Sequence, residues 1–367
     1  MKISVITACL NAEAYIEQTI LSVLSQKNCD LEYLIIDGGS TDQTMTIANR
    51  YKSQIDILVS EKDNGIYDAF NKGIRLATGD VVYFLNADDY FFDEYVLSRV
   101  NAQFDKYPEC KAVYGKVIKV SDLLGHQLAG HELSEASLRR GANIPHQGVF
   151  AKKKVMEEYG GFDLRYRLAS DLDFVTKLFL ESPDQFLYFD ETISFFRLTG
   201  ASSSPVNQQT CRNEQAAIVK KYFGDEYAQQ LLQNVNMNAD YYRKWVELLL
   251  CDSSQSASSS LIDQDIFDVA IFGTVDMSAY VLADLRKNSI RVHAFLDNAV
   301  AKHGSFIGGV EVHSPEWLKK HGLELDAVIF AFEGKHDEVV QAQLSDIMSS
   351  DSIRCISWRD MINWSLK

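Results

Sequence analysis

The sequence has no CxxC pair: its six cysteines, at positions 9, 29, 110, 211, 251 and 355, are scattered through 367 residues. Such scatter suggests neither a zinc site nor a disulfide framework, and a reducing, cytoplasmic compartment is expected. Positive charge is also scarce, with 36 Lys and Arg against 51 Asp and Glu and a formal net charge of −15. Nucleic-acid backbones are held by clustered Lys and Arg, so this balance argues against a nucleic-acid partner. Bound phosphate would need a metal ion or helix ends. No apolar run reaches the ~18 residues of a membrane span, and Met1-Lys2-Ile3 leads straight into a strand pattern without a charged leader. Membrane contact is expected to be peripheral at most, at the inner face. Hydrophobic residues at 46% and charged residues at 24% are ordinary globular composition, and the length suffices for two domains.

The residues that are present are organised around Gly79-Asp80-Val81-Val82-Tyr83-Phe84-Leu85-Asn86-Ala87-Asp88-Asp89-Tyr90. The apolar run 81–85 reads as a buried strand with a polar knot at its carboxyl end. In open α/β sheets ligands bind in the crevice outside that end. Successive side chains alternate in direction, so Asp88 is expected to face the crevice while Asp89 caps or braces the next helix. One carboxylate with an Asn two residues earlier suits a hard divalent ion that keeps several waters and draws further ligands from a phosphate-bearing substrate. The alternative is an N-cap cluster opening a helix over 92–104.

Strand patterns at 3–7, 31–37 and 55–59 alternate with helical ones, the first helix opened by Asn11 as N-cap, and imply a mostly parallel sheet with helices on both faces. Asp37, Asp63 and Asp88 should arrive at one rim of that sheet. Each alone is an ordinary turn aspartate; three together point to a ligand site. Further strands are expected at 111–120, at 143–150 with His146 and Gln147, and at 186–197 in two pieces. Asp171 opens a helix, where the dipole favours its ionised form, and by itself reads as a plain first-turn acid. Residues 206–251 are helical and amphipathic, 252–265 form a serine-rich flexible linker, and 266–367 a small Rossmann-like α/β domain.

Five segments in register resemble a family 2 glycosyltransferase of the GT-A fold over roughly the first 200 residues. They are Ser4-Val5-Ile6-Thr7-Ala8-Cys9-Leu10-Asn11, Asp37-Gly38-Gly39-Ser40-Thr41-Asp42, the stretch from Asp63-Asn64-Gly65-Ile66-Tyr67-Asp68 to Asn71-Lys72-Gly73, Ala77-Thr78-Gly79-Asp80, and Leu85-Asn86-Ala87-Asp88-Asp89. The resemblance implies an inverting catalytic domain over 1–205 that moves a sugar from a nucleoside diphosphate sugar, UDP-linked by expectation, to an acceptor hydroxyl. It places Thr7 and Ala8 along the nucleoside, Asp37 and Asp63 on base and ribose, and Asn71, Asn86 and Ala87 among the donor contacts. The family's DxD motif falls on Asn86-Ala87-Asp88, so Asp88 is the expected ligand of Mg²⁺ or Mn²⁺, with Asn86 in place of the first acid. Gly38 likewise replaces a second acid that many relatives carry. Asp171 matches the family's catalytic base, and His146 falls near the donor phosphate or acceptor, though a structural histidine is an equal reading.

The QxxRW signature of processive members and their membrane helices are missing, so one sugar per event is expected. Soluble relatives of this kind build bacterial surface polysaccharide or lipid-linked glycans, which makes a glycan or lipid-linked glycan the expected acceptor. A nucleotidyltransferase would need a Gly-rich, basic phosphate loop, which Thr7-Ala8-Cys9-Leu10-Asn11 does not offer. A silent sugar-nucleotide-binding module is the other alternative, raised by Asn86. In the C-terminal domain, Ile271-Phe272-Gly273-Thr274-Val275-Asp276 keeps only the first glycine of GxGxxG, so NAD is not expected there despite Asp297 at the second strand's end. A scaffolding or homo-oligomerisation role, docked on the helices of 206–251, is the expectation for it.

Overall fold

The computed structural model describes residues 1–121, 125–142, 144–198, 200, 207–251, 256–332, 336–348 and 353–365. β1 (Lys2–Cys9) and β2 (Asp30–Asp37) are buried along nearly their whole length, which is why they read as unbroken apolar runs. With β3 (Ile57–Ser60) and β4 (Val81–Phe84) they form a parallel array in the order β3-β2-β1-β4. The connecting helices are α1 (Ile16–Leu24), α2 (Thr44–Arg50) and α3 (Ile66–Leu76). Alternate strand residues feed two layers. Ile6, Leu34, Val82 and Phe84 meet Phe70 and Ile74 of α3, while Val5, Tyr33, Ile35 and Tyr83 meet Ile16 and Ile20 of α1. Position 73 has to be glycine for α3 to lie so close: a Cβ there would stand 2.5 Å from Ile6 Cγ2.

The chain continues through β5 (Tyr90–Phe91), α4 (Val96–Lys106), β6 (Ala112–Ser121), β7 (Gly125–Ala129), α5 (Glu135–Arg139), β8 (Val149–Lys152), α6 (Lys153–Glu158), α7 (Ser170–Glu181) and β9 (Phe186–Arg197). These strands extend the sheet as β4-β8-β6-β9-β5, with β8 antiparallel to both neighbours. The strand expected over 143–150 forms only from Val149. Asn143 lies outside the described residues, and His146–Gly148 is a 3₁₀ turn. Its cause is tertiary: the Gln147 carbonyl is turned to accept from Tyr83 Oη at 2.7 Å and Ser194 Oγ at 2.9 Å. The two pieces expected over 186–197 are one strand, irregular in register against β6. At the amino end of the parallel array, buried Glu32 accepts from Ser4 Oγ and Thr78 Oγ1 at 2.5 Å each, Thr78 N at 2.7 Å and Lys2 Nζ at 3.2 Å.

Two helices, α8 (Gln208–Phe223) and α9 (Asp225–Cys251), follow. The chain divides into two compact units, Met1–Val120 with Leu128–Leu232 and Ser121–Gln127 with Gln233–Lys367. The second unit contains α10 (Ser259–Ile262), β10 (Asp268–Phe272), α11 (Asp276–Lys287), β11 (Arg291–Leu296), β12 (Phe306–Ile307), β13 (Val310–His313), α12 (Leu318–His321), β14 (Ala327–Phe330), α13 (Asp337–Met348), β15 (Arg354–Ser357) and α14 (Trp358–Ser365). Its sheet runs β12-β13-β11-β10-β14-β15 and is parallel except for β12, a doubly wound arrangement. Trp245 and Trp358 pack in its core with ring centroids 5.9 Å apart.

The serine-rich stretch is not a flexible linker where it is described; residues 252–255 lie outside the described set. Ser256, Ser258 and Ser260 are buried. The Asp284 carboxylate accepts from Ser258 N at 2.8 Å and Trp245 Nε1 at 2.7 Å, and Ser258 Oγ donates to the Asp284 carbonyl at 2.9 Å. Residues that read as solvated spacers instead give a backbone amide to a buried acid, a hydroxyl to a main-chain carbonyl and, at Ser259, a hydroxyl that accepts from Ser256 N at 3.0 Å. Among the described residues, no helix is long and apolar enough to cross a membrane.

Candidate active site

The carboxyl ends of β1, β2, β3 and β4 share one edge, with Cys9, Asp37 and Ser60 in register across it. Asp37 is fully buried there and its oxygens are already taken. They accept from Ser60 Oγ at 2.6 Å, from the Ser40 hydroxyl, from Ser40 N at 3.0 Å and from Gly39 N at 3.2 Å, with Cys9 Sγ at 3.6 Å. The acid expected to contact the base braces the β2–α2 turn through these bonds. Burial, and next the Asp37 charge, push the Cys9 thiol up. Asp63 takes the place in front of it. A Cβ on Gly38 would stand 2.7 Å from Asp63 Oδ2, so the missing side chain at position 38 is the space that Asp63 occupies. Its Oδ1 accepts from Gly65 N at 2.9 Å.

Beyond β4, Asn86 and Asp88 are half-buried and Asp89 is fully buried. Asn86 Oδ1 is buried without a hydrogen-bond partner among the described residues, an arrangement that costs about 1–3 kcal/mol unless a ligand supplies one. Asp89 braces, as the alternation implies, but it holds a turn and a strand rather than a helix. It accepts from Gln147 Nε2 at 2.7 Å and Arg197 N at 2.9 Å. Burial, with the Asp88 charge next, pushes its carboxyl well above the usual range. Arg197, which nothing in the sequence singled out, lies between the rings of Tyr15 and Tyr90, 4.8 Å from each centroid, and donates to the Asp88 carbonyl and to Gln18 Oε1. The main chain that carries Asp88 is thereby fixed from β9.

The side chains of four other expected donor contacts are buried or engaged within the fold. Thr7 is fully buried with its hydroxyl 3.3 Å from Tyr33 Oη, and the methyl groups of Ala8 and Ala87 lie in the two core layers. Strands covered on both faces leave only the residues beyond their ends to meet a ligand. Asn71 instead staples a loop, its Nδ2 donating to the Phe162 carbonyl and its Oδ1 accepting from Phe162 N, both at 2.8 Å.

Asp171 stands in the first turn of α7, buried. Its Oδ1 accepts from Tyr67 Oη at 2.9 Å and Leu172 N at 3.0 Å, and its Oδ2 lies 3.6 Å from His146 Nδ1. Burial, and next the Asp171 charge, push the Tyr67 hydroxyl well above its ordinary value, so it stays a donor. His146 packs edge-on to Phe70, and its Nε2 is buried without a partner among the described residues. His146 and Asp171 also line a cavity of about 20 Å³ with Val82, Phe84, Phe162 and Phe174, room for about one water. Asp173 is committed elsewhere, in an ion pair with Lys221 at 2.7 Å. One short helix thus joins the two halves of the site: Asp63 leads into α3, and α3 carries Tyr67 to Asp171.

This sheet, with carboxylates beyond its strand ends and a buried carboxylate at a helix start, has the architecture of a nucleotide-sugar transferase of the GT-A kind. The family model for glycosyl transferase family 2 matches residues 4–150. A PGL/p-HBAD biosynthesis glycosyltransferase of Mycobacterium bovis is 35% identical over 179 residues, 48% of this chain and 69% of that protein. An uncharacterized glycosyltransferase of Nostoc sp. is 26% identical over 257 residues, 66% of this chain and 77% of that one. Among solved structures, S. aureus TarS 1-349 in complex with UDP-GlcNAc superposes with a TM-score of 0.50 at 18% identity, covering 79% of this chain and 88% of that chain, a likeness of fold. The chain belongs to glycosyl transferase family 2.

Proposed function

We propose that this glycosyltransferase moves one sugar from a nucleoside diphosphate sugar, a UDP-sugar in the first instance, to an acceptor hydroxyl with inversion, using Asp171 as general base. The observation that carries the reading is the buried Asp171 carboxylate, oriented by Tyr67 from the same helix that Asp63 leads into. An acceptor hydroxyl is a poor nucleophile, and a carboxylate taking its proton contributes roughly 10²–10⁴-fold. In the proposed step the acceptor oxygen bonds to the anomeric carbon as its proton passes to Asp171. The bond from that carbon to the diphosphate oxygen breaks, and the nucleoside diphosphate leaves with the electron pair. Asp63 and the rim beside Gly38 hold the nucleoside.

Among the described residues, no group of three or more His, Cys, Asp or Glu side chains could hold a metal by itself. The donor set nonetheless fits a hard cation that takes most of its ligands from phosphate and water, because the unpartnered Asn86 Oδ1 stands two residues from Asp88. Asp88 and Asn86 would hold Mg²⁺ or Mn²⁺, which when bound offsets the charge of the leaving diphosphate. We place the acceptor among glycans and lipid-linked glycans met at the inner face of the membrane, in line with a relative named for PGL/p-HBAD biosynthesis.

The test is a panel of UDP- and GDP-sugars screened for metal-dependent release of nucleoside diphosphate. One donor should be hydrolysed slowly, and Asp171→Asn should keep its affinity for UDP while losing at least about two orders of magnitude in turnover. Donor binding without any release would favour a silent binding module.

A further inference from the structure

The helix carrying Asp171 lacks a cap of its own. Ala169 is its N-cap residue and offers no side-chain acceptor, and within the first turn the Asp171 amide donates to Tyr67 Oη at 3.4 Å and the Leu172 amide to Asp171 Oδ1 at 3.0 Å. The three residues that lead into the helix are instead held from 45 residues further along the chain. Glu214 of α8 accepts from Arg167 N and Leu168 N at 2.8 Å each and from Ala169 N at 3.0 Å. Seven residues on, two helical turns along the same face, Lys221 Nζ reaches Asp173 Oδ1 at 2.7 Å. Ile218 lies between them on that face, buried in the core cluster that also holds Leu172 and Val175. Cys211, one turn before Glu214, faces the same group: burial, then the Asp171 and Glu214 carboxylates, push its thiol up to about 11. Asp173 in turn holds Lys221 charged, at about 12, against the opposing effect of burial.

Asp171 therefore sits between two fixed points. The chain before it is tied through Glu214, and the residue two after it through Lys221. Both ties come from α8, which lies beyond the residues matched by the family model.

We propose that α8 positions the catalytic base: Glu214 and Lys221 clamp the first turn of α7 and set where the Asp171 carboxylate meets an acceptor hydroxyl. Both are positioning residues, since the groups they hold are the backbone before Asp171 and the side chain of Asp173. The inference rests on the reading of Asp171 as the base. Misplacing a catalytic group by about 1 Å can cost about a hundredfold in rate, whereas the nucleotide rim around Asp63 is built at the ends of β2 and β3 and should keep its affinity.

The experiment uses the full chain and the fastest-hydrolysed of UDP-GlcNAc, UDP-glucose and UDP-galactose, with calorimetry of UDP and Mn²⁺ alongside. Glu214→Ala should lower kcat by at least about tenfold, part of the hundredfold that misplacement can cost, while the Kd for UDP moves less than about twofold. Glu214→Gln keeps an acceptor oxygen for these amides and should recover most of the lost rate. Lys221→Met should lower kcat in the same sense, and it carries the test should Glu214→Ala not fold. The inference is overturned by unchanged kcat in Glu214→Ala or Lys221→Met when Asp171→Asn is inactive. It is equally overturned when UDP affinity falls in step with kcat, which would mark general damage rather than a displaced base. Full activity of Asp171→Asn is a separate outcome that removes Asp171 as base and this proposal with it.

Discussion

At the scale of single residues, the rim is decided by which carboxylates are already satisfied. Asp37 and Asp63 both come after apolar runs, yet among the described residues five donors surround Asp37 and one backbone amide is bonded to Asp63. Gly38→Ala should therefore act on Asp63: the new methyl would have to displace a carboxylate oxygen 2.7 Å away, and calorimetry should show UDP affinity weakened about tenfold, the loss of about one charge-assisted hydrogen bond. Asp88→Ala should abolish metal-dependent UDP binding, while Asn86→Asp should preserve or strengthen it, because a second carboxylate adds attraction for a hard cation. Unchanged affinity in Asp88→Ala would remove Asp88 from the metal site. Positions were legible in the sequence to the extent that polar residues after an apolar run reach a strand's carboxyl edge. That the side chains of Thr7, Ala8 and Ala87 lie in the core layers was not legible, because a motif gives no sign of which face a residue turns to when both faces are buried. Arg197 carries no motif at all; its role comes from Tyr15 and Tyr90, far away in the chain, closing on it from both sides.

At the scale of elements, period and punctuation revealed the strands and helices that pack conventionally. The segments set by distant partners were hidden. The turn at His146–Gly148 is set by hydroxyls of Tyr83 and Ser194, and the order of the serine-rich stretch by Asp284, neither of them nearby in sequence. Asn71 shows the same dependence, since its amide ties α3 to the loop before α7 through Phe162. Asn71→Ala should leave both Phe162 backbone groups short of a partner and lower stability by about 1–3 kcal/mol, read from denaturant melts. A loss of UDP affinity without any loss of stability would instead return Asn71 to the donor.

At the scale of the whole molecule, acid sensitivity should trace to the amino end of the first unit's sheet. Burial pushes the Glu32 carboxyl up, but the hydrogen bonds of Ser4, Thr78 and Lys2 outweigh it and bring the group from 4.5 down to about 2. A carboxyl depressed in the folded state stabilises above its unfolded value, and that contribution is lost as pH falls from about 4.5 towards 2. Glu32→Gln should flatten this part of the stability profile in thermal melts taken across the window. In the second unit, Asp297 stands where a ribose-binding acid would, but it accepts from Ala299 N at 2.8 Å and Lys302 Nζ at 3.0 Å and is bonded to the Thr274 hydroxyl. Titration of the full chain with NAD or NADP should accordingly show no saturable binding, and tight binding of either would reverse that assignment. The paired indoles of Trp245 and Trp358 have a practical corollary. All four tryptophans, at 245, 317, 358 and 364, fall within the second unit, and the first has none. Intrinsic tryptophan emission is thus a reporter for the second unit alone, so unfolding tracked by fluorescence and by far-ultraviolet dichroism in parallel separates the melting of the two units without a label.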